Sequence, residues 1–155
     1  MINARSETAH EKPSFRKPLS TRRCLIPIDG YYEWKRNGKA KQPFHIGAED
    51  AKPLYLAGLW DSNKQVNPGS PALLSCSILT TAARPDLAPI HDRMPVFVPP
   101  NFVDTWLSHE PDGRQVLDLL LAVSDQQKLA VFPVSDYVNN ARHEGAECIT
   151  PLGVP

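Results

Sequence analysis

The chain has 155 residues, the size of one ordinary domain, and its 41% hydrophobic and 22% charged residues suffice to bury a core. It contains no apolar run near the roughly 18 residues of a membrane span and no apolar region of a signal peptide, which argues against a membrane or secreted protein. Its net charge of zero gives no overall preference for nucleic acid.

The charge is nevertheless unevenly distributed along the chain. Residues 1–45 contain ten Lys and Arg against four Asp and Glu, and the remaining 110 residues contain seven against thirteen. The net +6 of the first segment can build a positive face that attracts phosphates, or it can simply solvate loops. The charge pattern leaves both interpretations open.

Cysteine and proline usage narrows the class of protein further. Cys24, Cys76 and Cys148 are widely spaced and include no Cys-x-x-Cys pair, so neither a zinc ribbon nor a disulfide framework is expected. A reducing cytosol is the simpler compartment. Sixteen prolines disfavour long helices and favour strands joined by stiff loops.

The first predicted elements are β-strands. Residues 22–35 indicate two short strands broken at Pro27–Gly30. The Asn37-Gly38 pair predicts a hairpin turn, since both positions tolerate positive φ, and the hairpin returns through Gln42–Ile46. Further strands are predicted at Leu54–Trp60, Leu73–Thr80, Met94–Val98 and Val131–Val134.

Two short helices are predicted in the second half of the chain. Pro99-Pro100 can open the first, which has an apolar stripe that includes Trp106, and the second covers roughly Arg114–Ala122. Many short strands with two short helices predict an α+β fold in which the sheet dominates, as one domain over residues 1–155.

The segment from Asn3 to Glu7 is the first that could carry chemistry. If it is extended, Asn3, Arg5 and Glu7 share one face, where an amide, a guanidinium and a carboxylate could orient a substrate and bind phosphate. By pattern alone, a polar strand face on the surface is the favoured interpretation.

The second such segment is Tyr31-Tyr32-Glu33-Trp34. A carboxylate flanked by three aromatic rings can be partly desolvated, which raises its pKa and suits general acid/base catalysis. An edge-strand glutamate paired with a neighbouring cation in solvent explains the pattern equally well.

The third segment is the loop Ile90–Pro95. His91 beside Asp92 and Arg93 is a candidate for proton transfer near neutral pH, although a loop histidine held by Asp92 or a backbone carbonyl is the simpler interpretation. No Gly-x-Ser-x-Gly, Walker loop, Gly-x-Gly-x-x-Gly or metal-ligand spacing occurs. Neither a nucleotide cofactor nor a metal is therefore expected.

Taken together, these segments resemble the SOS-response-associated peptidase (SRAP) domain family. The resemblance implies a mainly antiparallel, barrel-like sheet of short strands with a few short flanking helices. The matching segments follow the family's order over essentially the whole chain: INARSET (Ile2–Thr8), RCLIPIDGYYEW (Arg23–Trp34), KQPF (Lys41–Phe44), LAGLWD (Leu56–Asp61), ILTTAA (Ile78–Ala83), IHDRMPV (Ile90–Val96), VSDYVNN (Val134–Asn140) and EGAECI (Glu144–Ile149).

The resemblance implies a DNA-damage-response protein that recognises abasic sites in single-stranded DNA, without a cofactor and as a monomer when full length. In such proteins the α-amine and thiol of a cysteine at position two condense with the ring-opened sugar aldehyde. They close a thiazolidine, which is a stable protein–DNA crosslink. The family label adds a peptidase or self-processing activity, and the expected location is the cytoplasm, at the nucleoid when bound to DNA.

The same resemblance implies roles for individual residues. Asn3 would orient the cysteine, Glu33 would handle protons at the amine, and His91 would assist ring opening and Schiff-base formation. DNA contacts are implied for three further residues, with the backbone phosphates held by Arg5 and Arg93 and the lesion beside Thr80.

The sequence departs from the family at its start. The family begins Met-Cys-Gly-Arg, whereas this chain begins Met1-Ile2-Asn3. We therefore expect that the segment with the nucleophilic cysteine is missing, through a mis-assigned start or a cloned fragment, and that crosslinking is impaired in this chain. Three alternatives stay open: a non-catalytic single-stranded or junction DNA-binding module, a small-molecule hydrolase using Glu33 and His91, and an inactive, poorly folded truncation product.

Overall fold

The computed structural model describes residues 1–63, 69–110 and 112–153. No helix in these ranges is long and apolar enough to cross a bilayer. Three single-turn 3-10 helices cover Pro100–Phe102, Asp136–Asn139 and Ala146–Ile149. The strands and α-helices are β1 (Asn3–Arg5), α1 (Ser6–Ala9), α2 (Pro13–Thr21), β2 (Arg23–Ile28), β3 (Gly30–Asn37), β4 (Ala40–Ala48), β5 (Leu54–Asn63), β6 (Leu73–Ala82), β7 (Arg93–Pro95), α3 (Val103–Leu107), α4 (Gly113–Ser124) and β8 (Leu129–Pro133).

The strands form two open sheets. The five-stranded sheet has the order β1-β6-β5-β2, with β7 also paired to β6, and the three-stranded sheet has the order β3-β4-β8. β1 runs parallel to β6, whereas the β5–β6, β3–β4 and β4–β8 pairs are antiparallel. The predicted α+β class with mainly antiparallel strands is confirmed.

The chain divides into two compact units, which we describe separately. The prediction of a single domain remains a prediction. The first unit comprises Met1–Pro27, Tyr55–Thr81 and Pro95–Gln127, and the second comprises Ile28–Leu54, Ala82–Met94 and Lys128–Pro155.

The first unit is built around an apolar core. Trp106 is fully buried there, and its indole Nε1 donates a hydrogen bond to the Cys24 carbonyl at 2.9 Å. Asp112 caps α4, because its carboxylate accepts the backbone N–H groups of the first turn. The buried apolar members of this core are Ala4, Ala9, Phe15, Leu19, Ala57, Leu59, Leu79, Val96, Val98, Trp106, Val116, Leu117 and Leu120.

The second unit is built on the β3–β4 hairpin. Asn37 pairs with Ala40 across a two-residue turn, and Gly38 has a φ of +61°, which glycine adopts without the penalty that a side chain would add. The predicted hairpin is present, but its turn residues are Gly38 and Lys39 rather than Asn37 and Gly38, because Asn37 ends β3 and pairs with Ala40. One face of the three-stranded sheet packs on a small apolar cluster, whose buried members are Ile46, Leu87 and Met94.

The structure differs from the predicted elements at α2 and after β7. Helix α2 was not predicted; Pro13 starts the helix, where a missing N–H costs nothing, and only Pro18 lies inside it. The strand predicted over Met94–Val98 ends at Pro95. Beyond it the chain alternates its partners, with Val96 N–H bonding to β6 and Val98 N–H to β5, so no regular ladder continues.

Candidate functional site

The residues singled out in the sequence lie in both units. Asn3, Arg5 and Thr80 belong to the first, and Glu33, His91 and Arg93 belong to the second. In the first unit, strand pairing places Arg5 beside Thr80. In the second unit, the charge of His91 acts on Glu33.

In the first unit, β1 presents two polar side chains at the surface. Asn3 and Arg5 are exposed, whereas Ala4 between them is fully buried in the core. Arg5 pairs with Thr80 in the parallel β1–β6 ladder, and the half-buried Thr80 donates its hydroxyl to the Ala4 carbonyl at 3.5 Å. The alternation expected for Asn3 and Arg5 is therefore present.

Glu7 does not belong to that strand face, which corrects the expectation for an extended segment. The strand ends at Arg5 and helix α1 begins at Ser6, so the period-two alternation stops one residue before Glu7. On this short helix Ser6 and Ala9, three residues apart, are both buried, which is the spacing of a helix and not of a strand.

In the second unit, Glu33 is half-buried on β3 and pairs with Phe44 on β4. Burial raises the pKa of the Glu33 carboxyl above its ordinary value, because the charged form loses solvation. The charge of His91 and the backbone N–H of Trp34 act in the opposite direction, and the Asp92 carboxylate adds to the rise. Of the two interpretations left open, the partly desolvated glutamate describes this environment.

His91 lies on the loop before β7, and its ring is oriented by the backbone. His91 Nδ1 lies 3.0 Å from the backbone N–H of Arg93 and 3.1 Å from its carbonyl oxygen. The Asp92 carboxylate lies 3.4 Å from the same Nδ1 and can pair with the ring when it is protonated. The imidazole is 44% exposed, which leaves it open to a substrate.

Tyr31 is a further residue of this environment that the sequence analysis did not single out. Its hydroxyl is buried and has no hydrogen-bond partner among the described residues. Burial, and then the Glu33 charge, raise the pKa of Tyr31, so the phenol stays protonated. Its position two residues before Glu33 was visible in the sequence, but the burial of its hydroxyl was not.

The arrangement in the second unit can exchange protons. A carboxyl with a raised pKa holds its proton closer to neutral pH, and an exposed imidazole whose charge interacts with it can accept or donate one. Within residues 1–63, 69–110 and 112–153, no three His, Cys, Asp or Glu side chains are placed to hold a metal ion.

Comparison with known proteins identifies a family for this geometry. The family model described as SOS response associated peptidase (SRAP) matches residues 1–141. A protein from Bacteroides thetaiotaomicron solved by crystallography superposes with a TM-score of 0.83 at 26% identity, covering 96% of this chain and 65% of that one.

Curated relatives extend the comparison. The abasic site processing protein YoqW of Bacillus subtilis is 39% identical over 150 residues, which cover 96% of this chain and 66% of YoqW. The abasic site processing protein YedK of Escherichia coli is 31% identical over 153 residues, covering 98% of this chain and 68% of YedK. The chain thus spans about two thirds of the length of these relatives.

Proposed function

This chain belongs to the SOS response associated peptidase (SRAP) family, and we propose that it acts in the processing of abasic sites in single-stranded DNA. The observation that carries the proposal is the half-buried Glu33, whose carboxyl has a raised pKa and interacts electrostatically with His91. A second support is the name shared by YoqW and YedK, abasic site processing protein.

The proposed chemistry begins at the aldehyde of the ring-opened abasic sugar. A primary amine adds to the aldehyde carbon, and loss of water leaves an imine; when the amine belongs to an amino-terminal cysteine, its thiol adds across the C=N bond and transfers its proton to the nitrogen. Each step moves a proton at the amine or at the departing oxygen. We assign those transfers to Glu33 at the amine and to His91 at the sugar oxygen.

The first unit would supply DNA contacts and a positioning residue. Arg5 is exposed beside Thr80, so its guanidinium can bind a phosphate while the Thr80 side chain lies next to it along the strand pair. Asn3, on the same exposed side of β1, would orient the reacting cysteine, and Arg93 would hold a second phosphate. The peptidase or self-processing activity, the cytoplasmic and nucleoid location and the monomeric state are further parts of this proposal.

A denaturing gel tests the chemistry. Single-stranded DNA with one abasic site would be incubated with the 155-residue chain and with a version extended upstream to the family's Met-Cys start. We expect the extended version to give a shifted covalent band, and Glu33→Gln or His91→Ala in that version to slow its formation by about 100-fold or more. Glu49→Gln and His109→Ala, at exposed positions, are the matched controls.

The outcomes separate the proposed function from its alternatives. Salt-dependent binding without any covalent band, in both versions, would favour a non-catalytic DNA-binding module. A band that forms equally fast in the Glu33 and His91 variants would remove both residues from the mechanism. A band from the 155-residue chain itself would mean that another amine attacks the aldehyde.

A further inference from the structure

The face of the three-stranded sheet opposite Glu33 carries a row of aromatic rings. Tyr32 on β3 pairs with His45 on β4, and His45 pairs with Phe132 on β8, so the three side chains project from one face in adjacent strands. The Tyr32 and His45 rings lie 5.5 Å apart edge to face, and the His45 and Phe132 rings lie 5.2 Å apart. We call Tyr32, His45 and Phe132 the aromatic row.

Glycines fix the position of the middle ring. A Cβ atom at Gly30 would lie 2.3 Å from His45 Nε2, and one at Gly47 would lie 3.1 Å from His45 Cε1. The imidazole therefore packs directly against the backbone at Gly30 and Gly47, where a side chain would crowd the ring. Its Nδ1 atom is buried and has no hydrogen-bond partner among the described residues, which is uncommon for a polar group that serves packing alone.

A cavity of about 480 Å³ opens over the aromatic row. This volume lies within the range of small-molecule sites. The lining also includes Gly145, Ile149 and the exposed Asp29, whose charge acts on both Tyr32 and His45. Burial lowers the pKa of His45, so the row presents an uncharged face at neutral pH.

The same sheet face becomes basic toward the hairpin turn. Arg36 and Lys41 pair with each other, are exposed, and follow the alternation of Tyr32 and His45 on their strands. Arg36 is four residues from Tyr32, which is about 13 Å along the strand. Aromatic rings on a sheet with cations nearby are the surface on which proteins stack unpaired bases and hold their phosphates.

We propose that the aromatic row and its cavity bind one unpaired nucleobase of a DNA strand, with Asp29 accepting an amino hydrogen of the base and Arg36 and Lys41 facing the neighbouring phosphates. Adenine, cytosine and guanine, which carry an exocyclic amine, fit the Asp29 carboxylate better than thymine, which has none. This inference rests on the proposed function for the DNA itself. Its site lies on the other face of the sheet from Glu33, so it is a separate contact.

Fluorescence of 2-aminopurine tests the base contact, since stacking on an aromatic ring quenches it. The probes are the free 2-aminopurine deoxynucleoside and a single-stranded oligothymidine with one 2-aminopurine. We expect saturable quenching of both, with the oligonucleotide bound at least tenfold more tightly because its phosphates add contacts. Phe132→Leu should weaken both by about five- to tenfold, whereas Phe132→Tyr, which keeps the ring, should stay within twofold.

Two further variants complete the design. Tyr137→Leu removes an exposed tyrosine of the same unit that stacks on His143 outside the cavity, and it should leave quenching unchanged. Tyr32→Phe removes only the hydroxyl that donates to the Cys148 carbonyl and should also retain binding. Circular dichroism spectra that match the wild type would show that the losses come from the ring.

Each outcome decides the inference. Absence of quenching, or equal quenching by Phe132→Leu and wild type, would overturn it while leaving the crosslinking assay untouched. A nucleoside bound as tightly as the oligonucleotide would overturn the assignment to a DNA strand. Saturable binding of tetramethylammonium, measured by calorimetry, with no nucleoside binding would overturn the inference in favour of a cation site. Quenching without any abasic-site crosslinking would refute the proposed function alone.

Discussion

The two units of this protein have apolar cores of different size. The first has thirteen buried apolar residues in one core, whereas the second has a cluster of three supported by half-buried side chains. The second unit holds Glu33 and His45 in partly buried positions. Burial raises the pKa of Glu33 and lowers the pKa of His45, which favours the neutral form of each side chain. The first unit therefore supplies most of the apolar stabilisation, and the second keeps ionisable groups in partly desolvated positions where proton transfer is possible.

The largest expected effect comes from the core of the first unit. Trp106→Ala removes a fully buried side chain and its hydrogen bond to Cys24, so we expect the free energy of unfolding to fall by about 3–5 kcal/mol. Urea titration followed by circular dichroism measures the change. A loss below about 1 kcal/mol would contradict the view that this core stabilises the fold.

The next effect concerns the buried Arg23 of the same unit. Its guanidinium donates to the carbonyls of Trp106 and Leu19, each at 2.7 Å, and to that of Ser108. Lysine keeps the charge but cannot reproduce these directed bonds, so Arg23→Lys should cost about 1–3 kcal/mol. Arg22→Lys, which keeps a partly exposed ion pair with Asp61, is the matched control and should cost less than about 1 kcal/mol; equal losses would refute the interpretation.

A smaller effect is expected for DNA binding at the surface of the first unit. Arg5→Ala should weaken single-stranded DNA binding by about three- to tenfold at low salt and reduce the slope of log K against log salt by roughly 0.7, one phosphate contact. Filter binding at several salt concentrations measures it. Arg114→Ala, at a 67% exposed side chain on α4, is the control, and an unchanged slope in Arg5→Ala would mean that Arg5 touches no phosphate.

The smallest expected effect is the change in stability with pH that Glu33 causes in the second unit. Burial raises the pKa of Glu33, so between its unfolded and folded pKa values the folded state binds more protons, and stability falls as pH rises through that window. Glu33→Gln has no charge to desolvate and should melt about 1–3 °C above wild type at pH 8. The gap should close toward pH 4, and exposed Glu49→Gln should show no such gap.

Local signals in the sequence predicted the second unit best. The Asn37-Gly38 pair predicted the hairpin, but the observed turn lies one residue later, and the resulting pairing of Asn37 with Ala40 places Tyr32 opposite His45 and Glu33 opposite Phe44. Phe132 could not be placed in the row, because the pairing of β8 with β4 joins segments more than 80 residues apart and depends on tertiary packing. In the first unit, helix α2 was not predicted from the sequence. Its apolar face, which buries Phe15 and Leu19, stabilises it in the fold.

The electrostatic relation between Glu33 and His91 was likewise beyond the sequence. Alternation indicated that Glu33 lies among aromatic residues, but its interaction with a loop nearly 60 residues later requires the fold. The same holds for the orientation of His91, which the backbone N–H of Arg93 provides.

Direct titration of Glu33 tests the central claim, that this carboxyl is desolvated and interacts with His91. Its side-chain carboxyl carbon would be followed by NMR against pH in wild type, His91→Ala and the control His143→Ala. In wild type we expect a Glu33 pKa above the ordinary glutamate value. The pKa should be still higher in His91→Ala, because a charge that lowers it is removed, and it should not change in His143→Ala. An ordinary or lowered pKa, or one that His91→Ala leaves unmoved, would contradict it.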